Sequence, residues 1–377
     1  MTNVEFAAQF SSSTNYIDRP ALTGMRLKRR FGLTNNNRVG TIMISIFRKV
    51  LASSAMIATL AFGATAADAA QLKVAAISGY FSQGFGISIV NGLDKAKKDL
   101  GIELKIVDTG NRALDYEEQF NNLAKDGNYD VIFVMGWELV DALQKSHAAY
   151  PKQRFVFIDG VLDSPTMTYV KFSEEEGSYL AGGLAGMLTA EKVDGFADSS
   201  QVGFIGGRDI PVIHNFLMGM EQGVAKASKD VKVNSVFAGT FDDPAKGSEV
   251  AMAMYGQDID IIYQAAGPTG EGVLQAAKAA NKYAIGVDID QCATAPGNIL
   301  ASMMKRGDIA VYNMIKGQVS GDDPIKDGSV LYGIKSGGVE LKVCDQVKDK
   351  IPTDVMTKLE AMRKGVADGT ISVALNK

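Results

Sequence analysis

The sequence predicts an α/β protein made of two doubly wound lobes. Three observations carry that expectation. Short apolar segments alternate with amphipathic ones almost without a break from residue 71. Several apolar segments, such as 131–135 (VIFVM) and 155–158 (FVFI), are apolar at every position, as strands covered on both faces must be. The alternation then begins afresh after about residue 172. Strict β-α alternation implies parallel pairing, and its restart implies a second layered unit.

The elements follow in order. Residues 72–77 read as a strand, and 84–99 as a helix with apolar residues at Ile87, Val90, Leu93 and Ala96. Gly101 ends that helix, since glycine tolerates the left-handed residue that closes a helix. Strands follow at 103–107, 131–135 and 155–158, with helices at 116–125 and 139–149 between them. The second helix stops before Pro151. Ser173 with Glu176 matches a capping box, opening a glycine- and alanine-rich helix over 177–188. Strand 202–205, helix 212–227 behind Pro211, strand 231–236 and helix 245–255 come next.

The segment 261–291 (IIYQAAGPTGEGVLQAAKAANKYAIGVDIDQ) then holds strand, glycine-rich turn, helix, strand and a pair of acids. Ligands of open α/β sheets bind at the carboxyl ends of the strands. Gly267 and Asp288 stand at such ends. Beyond them, 298–303 reads as a strand, 308–318 as a helix, 330–343 as a hairpin around Gly337-Gly338, and 352–364 as a last helix. One helix stranded between extended segments is the pattern of a chain that crosses between lobes and returns.

The amino terminus points to export. Arg48-Lys49, an apolar run over 50–62 and small residues through Ala69 form the pattern of a cleavable signal peptide. The run is too short for the roughly 20 residues that span a bilayer. Residues 1–42 read as an over-long start before Met43, or as a basic extension trimmed with the signal. Basic residues outnumber acidic ones before residue 71, so the exported body is more acidic than the whole-chain charge of −4. Such a body lacks the basic patch that nucleic-acid binding requires. Cys292 and Cys344 are free to pair in an oxidising compartment, but sequence alone does not show that they meet. No cysteine stands at the mature start to carry a lipid.

Four stretches then carry a specific likeness: Tyr150-Pro151 with Phe157-Ile158-Asp159-Gly160, the run from Phe172 to Gly182 (FSEEEGSYLAG), the run from Val202 to Gly207 (VGFIGG), and the run from Ile285 to Gln291 (IGVDIDQ). In that order and spacing, the mature chain resembles the basic membrane protein family of bacterial periplasmic solute receptors. These are similar to the purine-nucleoside-binding components of ABC importers. The resemblance implies the type I periplasmic binding protein fold, with two α/β lobes joined by a three-segment hinge. It assigns 70–172 with 304–322 to the first lobe and 173–303 with 323–377 to the second.

The resemblance also implies a site. Asp159 and Asp288 are expected to face one another across the cleft, where a carboxylate suits a ribose diol. Lys305 matches the family's cleft lysine near a hinge crossing. Tyr80, Phe81, Phe85, Trp137 and Phe216 are the expected aromatic slot for a flat base, and Gly267 the expected close turn beside it. The family's run Asp-x-Ser-Phe-Asn-Gln is replaced here by Ser82-Gln83-Gly84-Phe85-Gly86-Ile87, which removes an acid and an amide together. A free purine base, or another heterocycle or sugar, therefore stands beside a purine nucleoside as the expected ligand. The implied partner is the membrane permease of an ABC importer, with the receptor monomeric, periplasmic and without cofactor.

Plainer readings exist for most of these residues. Trp137 and Phe85 also suit a core, Lys305 a surface charge, and Asp290 the cap of a turn. The glycines of 203–207 meet neither dinucleotide nor Walker spacing. The acids of 174–176 suit a helix N-terminus and call for no metal. His147 and His214 are the only histidines, and no nucleophile elbow or zinc-protease pair appears. No catalytic residue is therefore expected, and a nucleoside hydrolase using Asp159 and Asp288 remains only an alternative.

Overall fold

The computed structural model describes residues 71–375, apart from 111, 163, 165, 194 and 325–327. The expected signal peptide at 43–69 and the segment 1–42 lie outside the described residues. No helix among those described is long and apolar enough to cross a membrane.

Two six-stranded sheets form the frame. The first is built from β1 (Lys73–Ser78), β2 (Glu103–Asp108), β3 (Val131–Met135), β4 (Phe155–Ile158), β5 (Thr168–Phe172) and β11 (Gly328–Tyr332). The second comprises β6 (Gln201–Gly206), β7 (Lys232–Phe237), β8 (Ile261–Ala265), β9 (Tyr283–Asp288), β10 (Ile299–Lys305) and β12 (Val339–Val343). From one edge the orders are β2-β1-β3-β4-β5-β11 and β7-β6-β8-β9-β10-β12. The first five strands of each thus share the order 2-1-3-4-5, which puts a ligand crevice at the reversal between the first and third strands. All pairings are parallel except β10 with β12.

The helices are α1 (Gly84–Leu100), α2 (Tyr116–Ala124), α3 (Val140–Ala149), α4 (Glu174–Ala190), α5 (Pro211–Ala227), α6 (Pro244–Tyr255), α7 (Pro268–Ala279), α8 (Gly307–Ser320), α9 (Asp345–Lys348) and α10 (Thr353–Asp368). Burial explains the apolar runs: every residue of β3, β4 and β8 is buried. The glycines of α4 and α5 allow the two backbones to touch. A Cβ on Gly182 would fall 2.1 Å from the Met220 carbonyl oxygen, and one on Gly223 2.0 Å from that of Tyr179.

Three crossings join the sheets, and they are hydrogen-bonded to one another. The first runs from β5 through Ser173 into α4, the second from β10 through Arg306 into α8, and the third through 333–338. Ser173 N donates to Tyr332 O at 2.9 Å, and Arg306 N to Gly338 O at 2.8 Å. Ile334 N donates to Glu176 Oε2 at 2.7 Å.

Several expectations are corrected here. Residues 330–343 do not form a hairpin: β11 pairs with β5 and β12 with β10, in different sheets. Glycines 337 and 338 therefore turn a crossing, and the segment 328–332 joins the first sheet rather than the second lobe. Met304 and Lys305 conversely complete β10 in the second sheet. Ser173 makes no side-chain cap to α4: Glu176 N donates to the Ser173 carbonyl at 3.1 Å, and the Glu176 carboxylate is drawn to the third crossing. Cys292 and Cys344 are bonded, with Cα atoms 5.5 Å apart, and tie the loop after β9 to the end of β12.

Candidate functional site

Between the two sheets, at the carboxyl ends of their strands, lies a cavity of about 140 Å³. Of the nine residues singled out from the sequence, Tyr80, Phe85, Trp137, Asp159, Phe216, Gly267, Asp288 and Lys305 line it. Phe81 does not. Its ring is buried in the hydrophobic core, 4% exposed, because the turn after β1 directs alternate side chains to opposite sides. The sequence reading missed Glu138, Phe241 and Ile213, which also line the cavity. Glu138 and Phe241 each follow a strand end, so applying the strand-end rule evenly would have found them.

The two aspartates occupy near-equivalent places at the fourth strand of each sheet, Asp159 directly after β4 and Asp288 as the last residue of β9. Both have left-handed backbones, φ 66° at Asp159 and φ 68° at Asp288. Such a conformation is uncommon outside glycine and costs roughly 1 kcal/mol. The supporting frame tolerates it. Beneath Asp288, Gln291 Oε1 accepts from Val287 N and from Gln264 Nε2, both at 2.9 Å. Gln264 Oε1 in turn accepts from Ala266 N at 3.0 Å, fixing the turn that carries Gly267.

Lys305 is the electrostatic centre. It is 2% exposed and donates to Asp159 Oδ1 at 2.5 Å, with Glu174 Oε1 at 3.2 Å. Its Nζ lies 4.6 Å from the Phe85 ring centroid and 5.5 Å from that of Phe216, one ring from each lobe. Burial opposes its charge, but the carboxylates of Asp159, Glu174 and Asp288 outweigh that, so its pKa lies above the ordinary lysine value. Burial raises Glu174, partly offset by Lys305. The cleft walls desolvate Asp288 and raise its carboxyl to about 6, again against the pull of Lys305. The ion pairs of Lys305 join the end of β10 to the end of β4 and to the first turn of α4. They therefore lock the sheets at the crossings.

Two polar atoms on the cavity wall are unspent. Tyr80 Oη and Glu138 Oε2 are buried with no hydrogen-bond partner among the described residues. Burial, and then the charge of Glu138, hold the phenol of Tyr80 protonated. The first turn of α1 packs tightly on the preceding loop: a Cβ on Gly86 would lie 2.0 Å from Tyr80 O. No side chain fits there without rebuilding the loop, so the amide expected from the family pattern has no room. Among the described residues no cluster of His, Cys, Asp and Glu is arranged to hold a metal.

Comparison with known proteins agrees with this architecture. Residues 73–377 match the family model Bmp, described as ABC transporter substrate-binding protein, PnrA-like. The ABC transporter nucleoside-binding protein BmpA of Lactococcus lactis is 33% identical over 282 residues, covering 70% of this chain and 76% of that protein. Basic membrane protein D of Borreliella burgdorferi is 30% identical over 303 residues, covering 78% and 85%. An ABC-transporter solute-binding protein from Aeropyrum pernix shares the fold at TM-score 0.71 and 24% identity, covering 81% of this chain and 94% of that one. With two lobes, three crossings and a polar-and-aromatic cavity between them, the chain belongs to the Bmp family of PnrA-like substrate-binding proteins of ABC transporters.

Proposed function

We propose that the protein is a periplasmic receptor that binds a purine nucleoside or a free purine base in the cavity and delivers it to a membrane permease. One observation carries the reading: aromatic rings from both lobes wall a cavity that the buried Tyr80 hydroxyl and Glu138 carboxylate also line. Flat heterocycles gain about 1–3 kcal/mol from each such stacking contact. A purine edge carries N–H donors and ring-nitrogen acceptors that suit the Glu138 carboxylate and the Tyr80 hydroxyl. The nucleoside-binding relative from Lactococcus lactis supports the same ligand class. Asp159 and Asp288 serve as hydrogen-bond acceptors rather than as an acid–base pair, since Lys305 already engages Asp159.

The altered run 82–87, with Gly86 in the first turn of α1, favours a second reading, in which a different heterocycle such as a flavin occupies the slot. Thermal-shift titration of the refolded, ligand-stripped mature protein against purine bases, nucleosides, flavins and sugars separates the two. A ligand at a hundred times its dissociation constant stabilises by about 2.7 kcal/mol. Stabilisation by purines supports the proposal; stabilisation by flavins or sugars alone would replace it.

A further inference from the structure

Beside the cavity lies a groove of about 310 Å³, and the two share Trp137, Asp159 and Val212 as a common wall. A substituent on a ring held in the cavity has this groove directly beside it. Glu175 lines this groove. It is 9% exposed, and its Oε2 has no hydrogen-bond partner among the described residues. Its neighbours are committed elsewhere. Glu174 is held by Lys305 and accepts from Asn215 Nδ2 at 3.4 Å, and Glu176 accepts from Ile334 N.

A buried carboxylate oxygen without a partner is costly, and folded proteins keep few of them. Among the described residues, no hydrogen bond or ion pair of the three crossings uses this oxygen. We propose that the groove is a second compartment of the ligand site, in which Glu175 accepts a hydrogen bond from a hydroxyl or amine on the ligand whose ring fills the cavity. This rests on the reading of the cavity as a purine site and extends it to the substituent. Burial raises the Glu175 carboxyl to about 7, and a donor placed against it restores the charged form. The indole of Trp137, 39% exposed between the compartments, gives the linking atoms an apolar surface.

Isothermal titration with adenine, adenosine and 9-(2-aminoethyl)adenine tests this on wild type, Glu175→Leu and Glu175→Gln. Glu175→Leu is expected to leave adenine within about twofold of wild type and to weaken a substituted probe at least about tenfold, the scale of a charge-assisted hydrogen bond. An amine donor loses affinity in both variants; a hydroxyl donor loses most in Glu175→Leu, since glutamine still accepts. Equal losses for all three probes, or none, would overturn the proposal. Should no probe bind wild type, the purine reading fails and the ligand-free melting temperature at pH 8 decides the groove. A carboxyl kept for a ligand makes Glu175→Leu melt higher than wild type. A lower melting temperature would make Glu175 structural and end the proposal.

Discussion

At the residue scale, one buried cation organises three carboxylates. Lys305 neutralises part of a cluster that is otherwise acidic, and it does so with its ammonium between aromatic rings of both lobes. Breaking a buried pair by removing one partner typically costs 3–5 kcal/mol, because the remaining charges stay desolvated. Lys305→Met is therefore expected to lose about 3 kcal/mol or more in guanidinium unfolding at pH 7; a loss below about 1 kcal/mol would mean the carboxylates find water. Asp288 has a different duty. Its carboxyl lines the cavity without a direct salt bridge, so it is available to a ligand. Asp288→Ala should weaken binding of the best purine by about 2 kcal/mol. Fluorescence of Trp137, the only tryptophan, is the readout, and unchanged affinity would remove Asp288 from the ligand's contacts.

At the element scale, the strand ends are what place the site. Cavity residues stand at or beyond the carboxyl ends of β1, β3, β4, β6, β7, β8, β9 and β10, the behaviour expected of α/β sheets. The disulfide secures two of these elements to each other, since Cys292 follows β9 and Cys344 follows β12, which pairs with β10. Its ends are 52 residues apart. Closing a loop of that size stabilises by about 4 kcal/mol in the chain-entropy model. The paired variant Cys292→Ser/Cys344→Ser should show a loss of that order in denaturant unfolding; an unchanged midpoint would mean the reduced chain keeps this loop closed.

For the whole molecule, pH and ligand act on the same interface. Asp288 is raised to about 6 and Glu175 to about 7, and Glu174 is raised as well. Between the ordinary carboxyl range and those values, the folded protein holds protons that the unfolded chain has released. Stability must then fall as pH rises. The contribution is full below about pH 4 and lost above the folded values. Lys305 stays charged throughout and adds no slope. Calorimetry of the ligand-free protein should give a higher melting temperature at pH 5 than at pH 8, and the reverse order would contradict the raised carboxyls. Ligand closure belongs to this scale too. Two lobes joined by three crossings suit hinge motion, and X-ray scattering should show a smaller radius of gyration with ligand bound. An unchanged radius would count against closure.

The sequence by itself determined what is local. Apolar alternation named the strands, the restart after residue 172 named the second lobe, strand-end position picked out Gly267 and Asp288, and the family likeness added Asp159. These depend on periodicities of a few residues, which side-chain chemistry writes directly into the chain. Tertiary structure alone decided which sheet 328–332 joins, that Phe81 turns into the core, and that the two cysteines meet. It also decided that Lys305 reaches Asp159 across 146 residues of sequence, and that Glu175 Oε2 is left without a partner among the described residues. Each of these turns on which distant segments pack together, and a pairing energy between remote groups leaves no periodic trace along the chain.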